Sequence, residues 1–97
     1  MTKEELEMAY KSEKINYEKL MYYKKLFDNA YNLQYQINYI TNSLENIHHI
    51  DIYENSCDYI RLSNIPDVSQ EPIKKAFVIA LEETLKAVNK VLEDTKL

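Results

Sequence analysis

Apolar residues recur between residues 23 and 47 at alternating steps of three and four, and this pattern strongly constrains the fold. The series is Tyr23, Leu26, Ala30, Leu33, Ile37, Ile40, Leu44 and Ile47. It is the a/d repeat of a coiled coil, continued over about three and a half heptads. The repeat predicts a long helix whose apolar seam packs against another helix. We assign the seam from Leu26 to Ile47 to an oligomer interface.

The predicted helix begins close to the start of the chain. Thr2 and Glu5 form a capping-box sequence, and no Pro or Gly follows before Pro66. One continuous helix over about residues 2–47 is therefore predicted. An earlier apolar stripe consists of Leu6, Tyr10, Tyr17 and Leu20. It joins the later seam through two successive steps of three, which predicts a bend near residues 20–23.

Between residues 50 and 62 the apolar period changes to two. This alternation predicts a short β-hairpin with Asn55 and Ser56 at its tip, and an irregular loop is the alternative. An isolated two-stranded hairpin is marginally stable, so we expect this one to lean on a helix or on another subunit.

A second, shorter helix is predicted over about residues 69–95, after the break at Pro66. Its heptad seam is Val78, Leu81, Leu85, Val88 and Leu92. Four further apolar residues widen the seam: Ile73, Phe77, Ala80 and Val91. That breadth favours a helix that packs on more than one neighbour.

The predicted fold class is mainly α: a single domain with a long N-terminal helix, a short β-hairpin and a shorter C-terminal helix. The flanks of the first seam indicate how the helices assemble. No Lys or Arg occurs in residues 26–60, and the e and g positions hold Phe27, Asn29, Gln34, Gln36, Thr41 and Ser43. Two-stranded coiled coils usually carry Glu and Lys there. The uncharged flanks favour an oligomeric bundle of three or four helices built from two or more chains.

Several functional classes are excluded or disfavoured by composition. The chain has no Gly, which excludes the usual P-loop and dinucleotide-binding loops. Its net charge is −4 and no segment is strongly basic, so duplex nucleic acid is not an expected partner. No apolar run approaches the about 20 residues of a membrane span and no signal peptide is evident, so we expect a cytoplasmic protein.

Metal binding and catalysis are also disfavoured. His48 and His49 lie near Asp51 and Cys57, but the spacings of common metal sites are absent. A Cys57–His pair would lack an oxyanion hole and a substrate pocket. We therefore predict no catalytic residues, no metal and no cofactor.

Tyrosine is the residue type that favours binding. Nine Tyr occur in 97 residues, and Tyr31, Tyr35 and Tyr39 form a ladder at steps of four. Tyr is enriched at interfaces because it combines an apolar ring with a hydrogen-bonding tip, so we expect the ladder to pack on the second helix or on another subunit, and we add it to the predicted oligomer interface. The alternative is a ligand surface on which Tyr rings stack on a base and cations hold a phosphate. The candidate ligand-binding residues are Tyr22, Tyr23, Lys24, Lys25 and Arg61.

Two resemblances follow from this layout. The order helix, hairpin, helix resembles the β-class prefoldin subunits, chaperones whose coiled-coil arms extend from a strand platform. The second half of the chain resembles small coiled-coil accessory proteins of phages and prophages. The segments that carry this likeness are Ile50-Asp51-Ile52-Tyr53, Tyr59-Ile60-Arg61-Leu62, Pro72-Ile73-Lys74-Lys75-Ala76 and Leu81-Glu82-Glu83-Thr84-Leu85.

The phage resemblance implies a protein that blocks or sequesters a host factor in the host cytoplasm. We therefore predict a non-enzymatic homo-oligomer that inhibits or sequesters a partner protein or a small nucleotide-like ligand. The alternative is a structural coiled-coil scaffold, or a chaperone-like module, without a small-molecule ligand.

Overall fold

Within the residues that the structure describes, the chain forms three α-helices, with a pair of strands before the last helix. A computed structural model describes residues 1–54 and 58–97. Its elements are α1 (Lys3–Lys11), α2 (Tyr17–Asn42), β1 (His49–Glu54), β2 (Asp58–Ser63) and α3 (Gln70–Asp94), with a short 3-10 turn over Asp67–Ser69. The predicted mainly α class with two antiparallel strands between helices is confirmed. None of the helices in the described residues combines the length and the apolar character needed to cross a membrane.

The predicted continuous helix over residues 2–47 is wrong, because the chain reverses between α1 and α2. Glu13 adopts a left-handed backbone with φ of 58°, and the Asn16 side chain accepts a hydrogen bond of 2.9 Å from the Lys19 N–H to begin α2. The reversal lets Leu6 pack against Leu20 in a buried cluster. The reversal precedes residues 20–23, where the two successive steps of three predicted a bend.

α2 ends at Asn42, before the predicted end of the helix at residue 47. The backbone that follows is held by side chains of α3 instead of by helical hydrogen bonds. The Lys74 ammonium donates to the Leu44 carbonyl at 3.1 Å, and the Gln70 amide bonds both the N–H and the carbonyl of Ile47. These bonds place the start of α3 beside the end of α2, so the two helices run antiparallel.

The two predicted seams meet each other within one chain. Every residue of the first seam from Tyr23 to Ile47 is buried or half-buried, and so is every residue of the second seam from Val78 to Leu92. Ile37 lies beside Leu85 along the α2–α3 groove. The part of the predicted oligomer interface that runs from Leu26 to Ile47 therefore faces α3 of the same chain.

The strands pair antiparallel, with Ile50 opposite Leu62 and Ile52 opposite Ile60. The predicted tip at Asn55 and Ser56 lies outside the described residues. The molecule is long and thin, with extents of 55 × 32 × 19 Å. Its radius of gyration is 17.8 Å, against about 13 Å for a compact domain of this length.

Candidate binding surface

One face of the hairpin carries four aliphatic side chains, followed at its tip end by the Glu54–Asp58 pair. Ile50, Ile52, Ile60 and Leu62 lie on the same side of the strand pair because side chains alternate along each strand and the pairs Ile50–Leu62 and Ile52–Ile60 are in register. Ile52 is 54% exposed, Ile60 64% and Leu62 51%. Within the described residues, neither strand packs against a helix. We call these four residues the aliphatic face.

The opposite face is polar and aromatic, and its contacts hold the two strands together. The Arg61 guanidinium donates two hydrogen bonds to the Asp51 carboxylate, at 2.7 and 3.0 Å. It also lies 5.7 Å from the ring centre of Tyr59, whose ring is 5.5 Å from that of Tyr53. The hydrogen bonds from Arg61 lower the pKa of Asp51, and the carboxylate raises the pKa of Arg61. The strand pair is therefore cross-linked on the side away from the aliphatic face.

Acid will loosen the strand pair. The folded pKa of Asp51 lies below its ordinary value of 3.8, so its contribution is fully present above that pH and is lost as pH falls through the lowered pKa. We expect cross-strand nuclear Overhauser effects between β1 and β2 to weaken progressively as pH falls from 5 to 2. In Arg61→Gln, the contacts should be weaker at pH 5 and should change less with acid. An unchanged acid response in that variant would mean that another group is responsible.

The candidate ligand-binding residues of α2 lie beside α1. The rings of Tyr22 and Tyr23 are 5.1 Å apart, and Tyr23 packs against the buried cluster under α1. The Lys24 ammonium lies 2.9 Å from the Glu7 carboxylate, and this hydrogen bond raises the pKa of Lys24. Lys25 is exposed. Lys24 therefore ties α2 to α1.

Arg61 does not join this group. The rise of about 1.5 Å per residue places Lys24 roughly 27 Å along the helix from Asn42, the end of α2 that precedes the strands. The structure therefore brings Tyr22, Tyr23, Lys24 and Lys25 together at one end of α2, and places Arg61 in the hairpin beyond the other end. The five residues do not form one pocket.

The Tyr ladder lies on the free side of α2. Tyr31 is 72% exposed, Tyr35 63% and Tyr39 47%. At 3.6 residues per turn, the ladder is about 180° from the centre of the seam that faces α3. The ladder therefore remains open to a partner on the side away from α3.

The remaining features are the acidic, His and Cys side chains and a groove between two helices. No three His, Cys, Asp or Glu side chains cluster in residues 1–54 and 58–97. The thiol considered with His48 and His49, Cys57, lies outside the described residues. A groove of about 610 Å³ runs between α2 and α3, with Gln34 on one wall and Lys86 on the other. It is a broad surface cleft between two helices.

Comparison with known proteins adds no family to these observations. No protein-family model, curated protein or solved structure matches this chain. The likeness to prefoldin subunits and to phage accessory proteins therefore remains one of layout, and function has to be argued from the surfaces described above.

The sequence predicted the composition of the aliphatic face but not its surroundings. The alternation of Ile50, Ile52, Ile60 and Leu62 placed the four side chains together, but we expected the hairpin to lean on a helix or on another subunit. Within the described residues neither strand packs on a helix, and the 3-10 turn at Asp67–Ser69 and the Gln70 contacts join the region to α3 at its base. Contact with another subunit stays a prediction. On the aliphatic face Ile52, Ile60 and Leu62 are exposed, and Ile50 is half-buried.

Proposed function

We propose that this chain is a non-enzymatic, homo-oligomeric binding protein that inhibits or sequesters a partner protein by stoichiometric contact with the hairpin. The observation that supports this function is the aliphatic face: four large aliphatic side chains on a strand pair that packs against no helix in the described residues. A surface of this kind is stabilised when another molecule covers it.

The physical case starts from the stability of the strand pair. A two-stranded sheet on its own is marginal in water. Here the Asp51–Arg61 ion pair and the Tyr53–Tyr59 contact preserve its shape, while the aliphatic face stays in solvent. Both strands also have a free edge that can accept a further strand. The hairpin thus combines a fixed shape with an exposed aliphatic face and with strand edges whose backbone groups can bond a further strand.

A protein is a better fit for this surface than a nucleotide. A phosphate would compete with Asp51 for Arg61 and with Glu7 for Lys24, since both cations already have carboxylate partners. The aliphatic face itself offers no cation and no aromatic ring. Apolar side chains presented on a strand pair suit an apolar protein surface, where area removed from water contributes about 25 cal/mol per Å².

Inhibition or sequestration is the mode of action that this surface supports. A partner bound on the aliphatic face loses access to whatever its own apolar surface normally contacts, without any chemical step. This agrees with what the layout shared with phage accessory proteins implies.

Site-specific photo-crosslinking tests the proposed function. A photo-crosslinking amino acid is placed at Ile52 or Ile60 on the aliphatic face, and at Lys86 on α3 as a control. We expect one protein from an extract of the native host to crosslink at the two hairpin positions and not at Lys86. The purified partner should then bind saturably at one per chain, and Ile52→Lys should abolish binding while Lys86→Glu leaves it unchanged.

Three outcomes would contradict the proposal. Equal crosslinking at Lys86 would show that the hairpin has no special role. Full binding of the partner by the Ile52→Lys variant would show that the binding site lies outside the aliphatic face. A panel of linear and cyclic nucleotides that raises the melting temperature saturably, with the rise lost in Lys25→Ala, would favour a small ligand at the α1–α2 end instead.

A further inference from the structure

α3 carries a second stripe, apolar except for Thr84, that α2 does not cover. Its members follow steps of four and three: Ile73, Phe77, Ala80, Thr84, Ala87 and Val91. At 3.6 residues per turn, this stripe lies about 100° around the helix from the seam that faces α2. Phe77 is 39% exposed and Val91 43%, and only Ile73 is half-buried. The stripe has the spacing of a coiled-coil seam and faces solvent for most of its length.

The stripe is symmetric in spacing about its centre. Ile73 and Val91, Phe77 and Ala87, and Ala80 and Thr84 are each equally distant from residue 82. Two copies of α3 placed antiparallel would therefore bring each residue opposite its counterpart. The large Phe77 ring would meet the small Ala87, and the two β-branched residues would meet at each end. A surface that complements itself in this way is what a two-fold interface requires.

We propose that a second copy of this chain packs on the stripe, with the two α3 helices antiparallel across a two-fold axis at residue 82. The inference rests on the homo-oligomeric part of the proposed function and identifies its interface. It moves the contact between chains from the seam of α2 to the flank of α3, about 100° from the seam that faces α2.

The chain exposes more surface than a compact monomer of its mass, as expected of a subunit that pairs with a second copy. The accessible surface of the chain is 7816 Å², against about 5,800 Å² for a folded monomer of this mass. The excess of about 2,000 Å² is more than the roughly 800 Å² that each partner buries in an interface of standard size.

This arrangement fixes where the two hairpins lie. Each hairpin precedes the N-terminal end of its own α3, and antiparallel pairing puts the two N-terminal ends at opposite ends of the bundle. The hairpins are then separated by about 37 Å or more, the length of α3. A dimer therefore holds two partner molecules, one at each end.

Two glutamate variants test the interface by sedimentation. Ala80→Glu and Ala87→Glu each place a carboxylate on the stripe at an exposed position with little cost to the helix itself. We expect the dimer dissociation constant to rise at least 100-fold in both variants, with unchanged helical circular dichroism. The matched control is Ile79→Glu, because Ile79 is 56% exposed on α3 but lies off the stripe, and it should leave the constant unchanged.

Disulfide trapping tests the antiparallel arrangement in a Cys57→Ser background. A mixture of Ile73→Cys and Val91→Cys chains should form crosslinked heterodimers on oxidation, whereas Ile73→Cys alone should not crosslink. Crosslinking of Ile73→Cys with itself would overturn the antiparallel arrangement. A dimer that survives both glutamate variants would overturn this interface while leaving a homo-oligomer in place.

If the wild-type chain sediments as a monomer at all concentrations, both the proposed interface and the homo-oligomeric part of the proposed function are wrong. Partner binding at the hairpin is measured separately in the Ala80→Glu variant. Retained binding there would leave the proposed function standing as that of a monomer.

Discussion

Replacing Gln70 with alanine will lower the free energy of unfolding by about 2–4 kcal/mol. Gln70 is 6% exposed, and its side-chain amide accepts from the Ile47 N–H at 2.6 Å and donates to the Ile47 carbonyl at 2.8 Å. Alanine removes both bonds and leaves two backbone groups without partners in a partly buried place. Each such group costs about 1–3 kcal/mol, and solvent access offsets part of it. Urea unfolding followed by circular dichroism measures the change.

Two further variants decide whether the bonds themselves matter. Gln34→Ala removes a side chain of the same kind from an exposed helical position, where its amide bonds only Asn38, and should change the free energy of unfolding by less than about 0.5 kcal/mol. Gln70→Glu retains the size of the side chain but loses the donor to the Ile47 carbonyl, and should fall between wild type and Gln70→Ala. Equal effects of Gln34→Ala and Gln70→Ala would contradict the predicted role.

The loss of stability in Gln70→Ala should also be localised. Gln70 joins the end of the segment after α2 to the start of α3, and Lys74 adds a second bond to the Leu44 carbonyl. Amide exchange in residues 44–47 should therefore accelerate in Gln70→Ala before exchange in the middle of α2 does. This region sets the angle at which the hairpin leaves the helices, so the variant should also weaken partner binding at the hairpin.

The periodicity of the sequence predicted the two long seams well. The steps of three and four from Tyr23 to Ile47, and from Val78 to Leu92, identify the residues that are buried or half-buried in α2 and α3. Periodicity reports which face of a helix is apolar, but it does not report whether the partner helix belongs to the same chain. That is why the α2 seam was assigned to a contact between chains.

The break between α1 and α2 was missed for a different reason. The chain has no Gly to mark a reversal, and Glu13 takes the left-handed conformation that usually favours Gly or Asn. The two successive steps of three did indicate an irregularity, but the chain reverses earlier, where Asn16 caps the next helix. Leu6 packs on Leu20, which is a tertiary contact. Secondary-structure propensities depend on residues close in sequence and therefore do not predict it.

The candidate site shows the same division between local and distant information. Two-residue alternation predicted which hairpin residues share a face. It could not show that the strands project away from the helices, or that Lys24 and Arg61 are already held by Glu7 and Asp51. Those facts depend on pairs of residues that are far apart in the chain.

Replacing Leu6 with alanine will lower the free energy of unfolding by about 3 kcal/mol, within the range of about 2–5 kcal/mol for buried Leu→Ala changes. Leu6 is 1% exposed and packs in the cluster with Ala9, Ile15 and Leu20, which holds α1 on α2. The cavity left by alanine removes much of the apolar contact of a nine-residue helix that is too short to be stable alone. Met8→Ala is the control, because Met8 lies on the same helix at 60% exposure and should cost less than about 0.5 kcal/mol.

The same variant separates the reversed chain from a continuous helix. In the structure the Lys3 ammonium lies 6.0 Å from the ring centre of Phe27, whereas an unbroken helix would put residues 3 and 27 about 36 Å apart. Spin labels at residues 3 and 28 should therefore report a short distance in the wild type. Leu6→Ala should add a broad population of longer distances as α1 undocks, and Met8→Ala should not. A sharp distance of about 38 Å in the wild type would instead mean that α1 and α2 form one helix, and that the buried cluster around Leu6 does not exist.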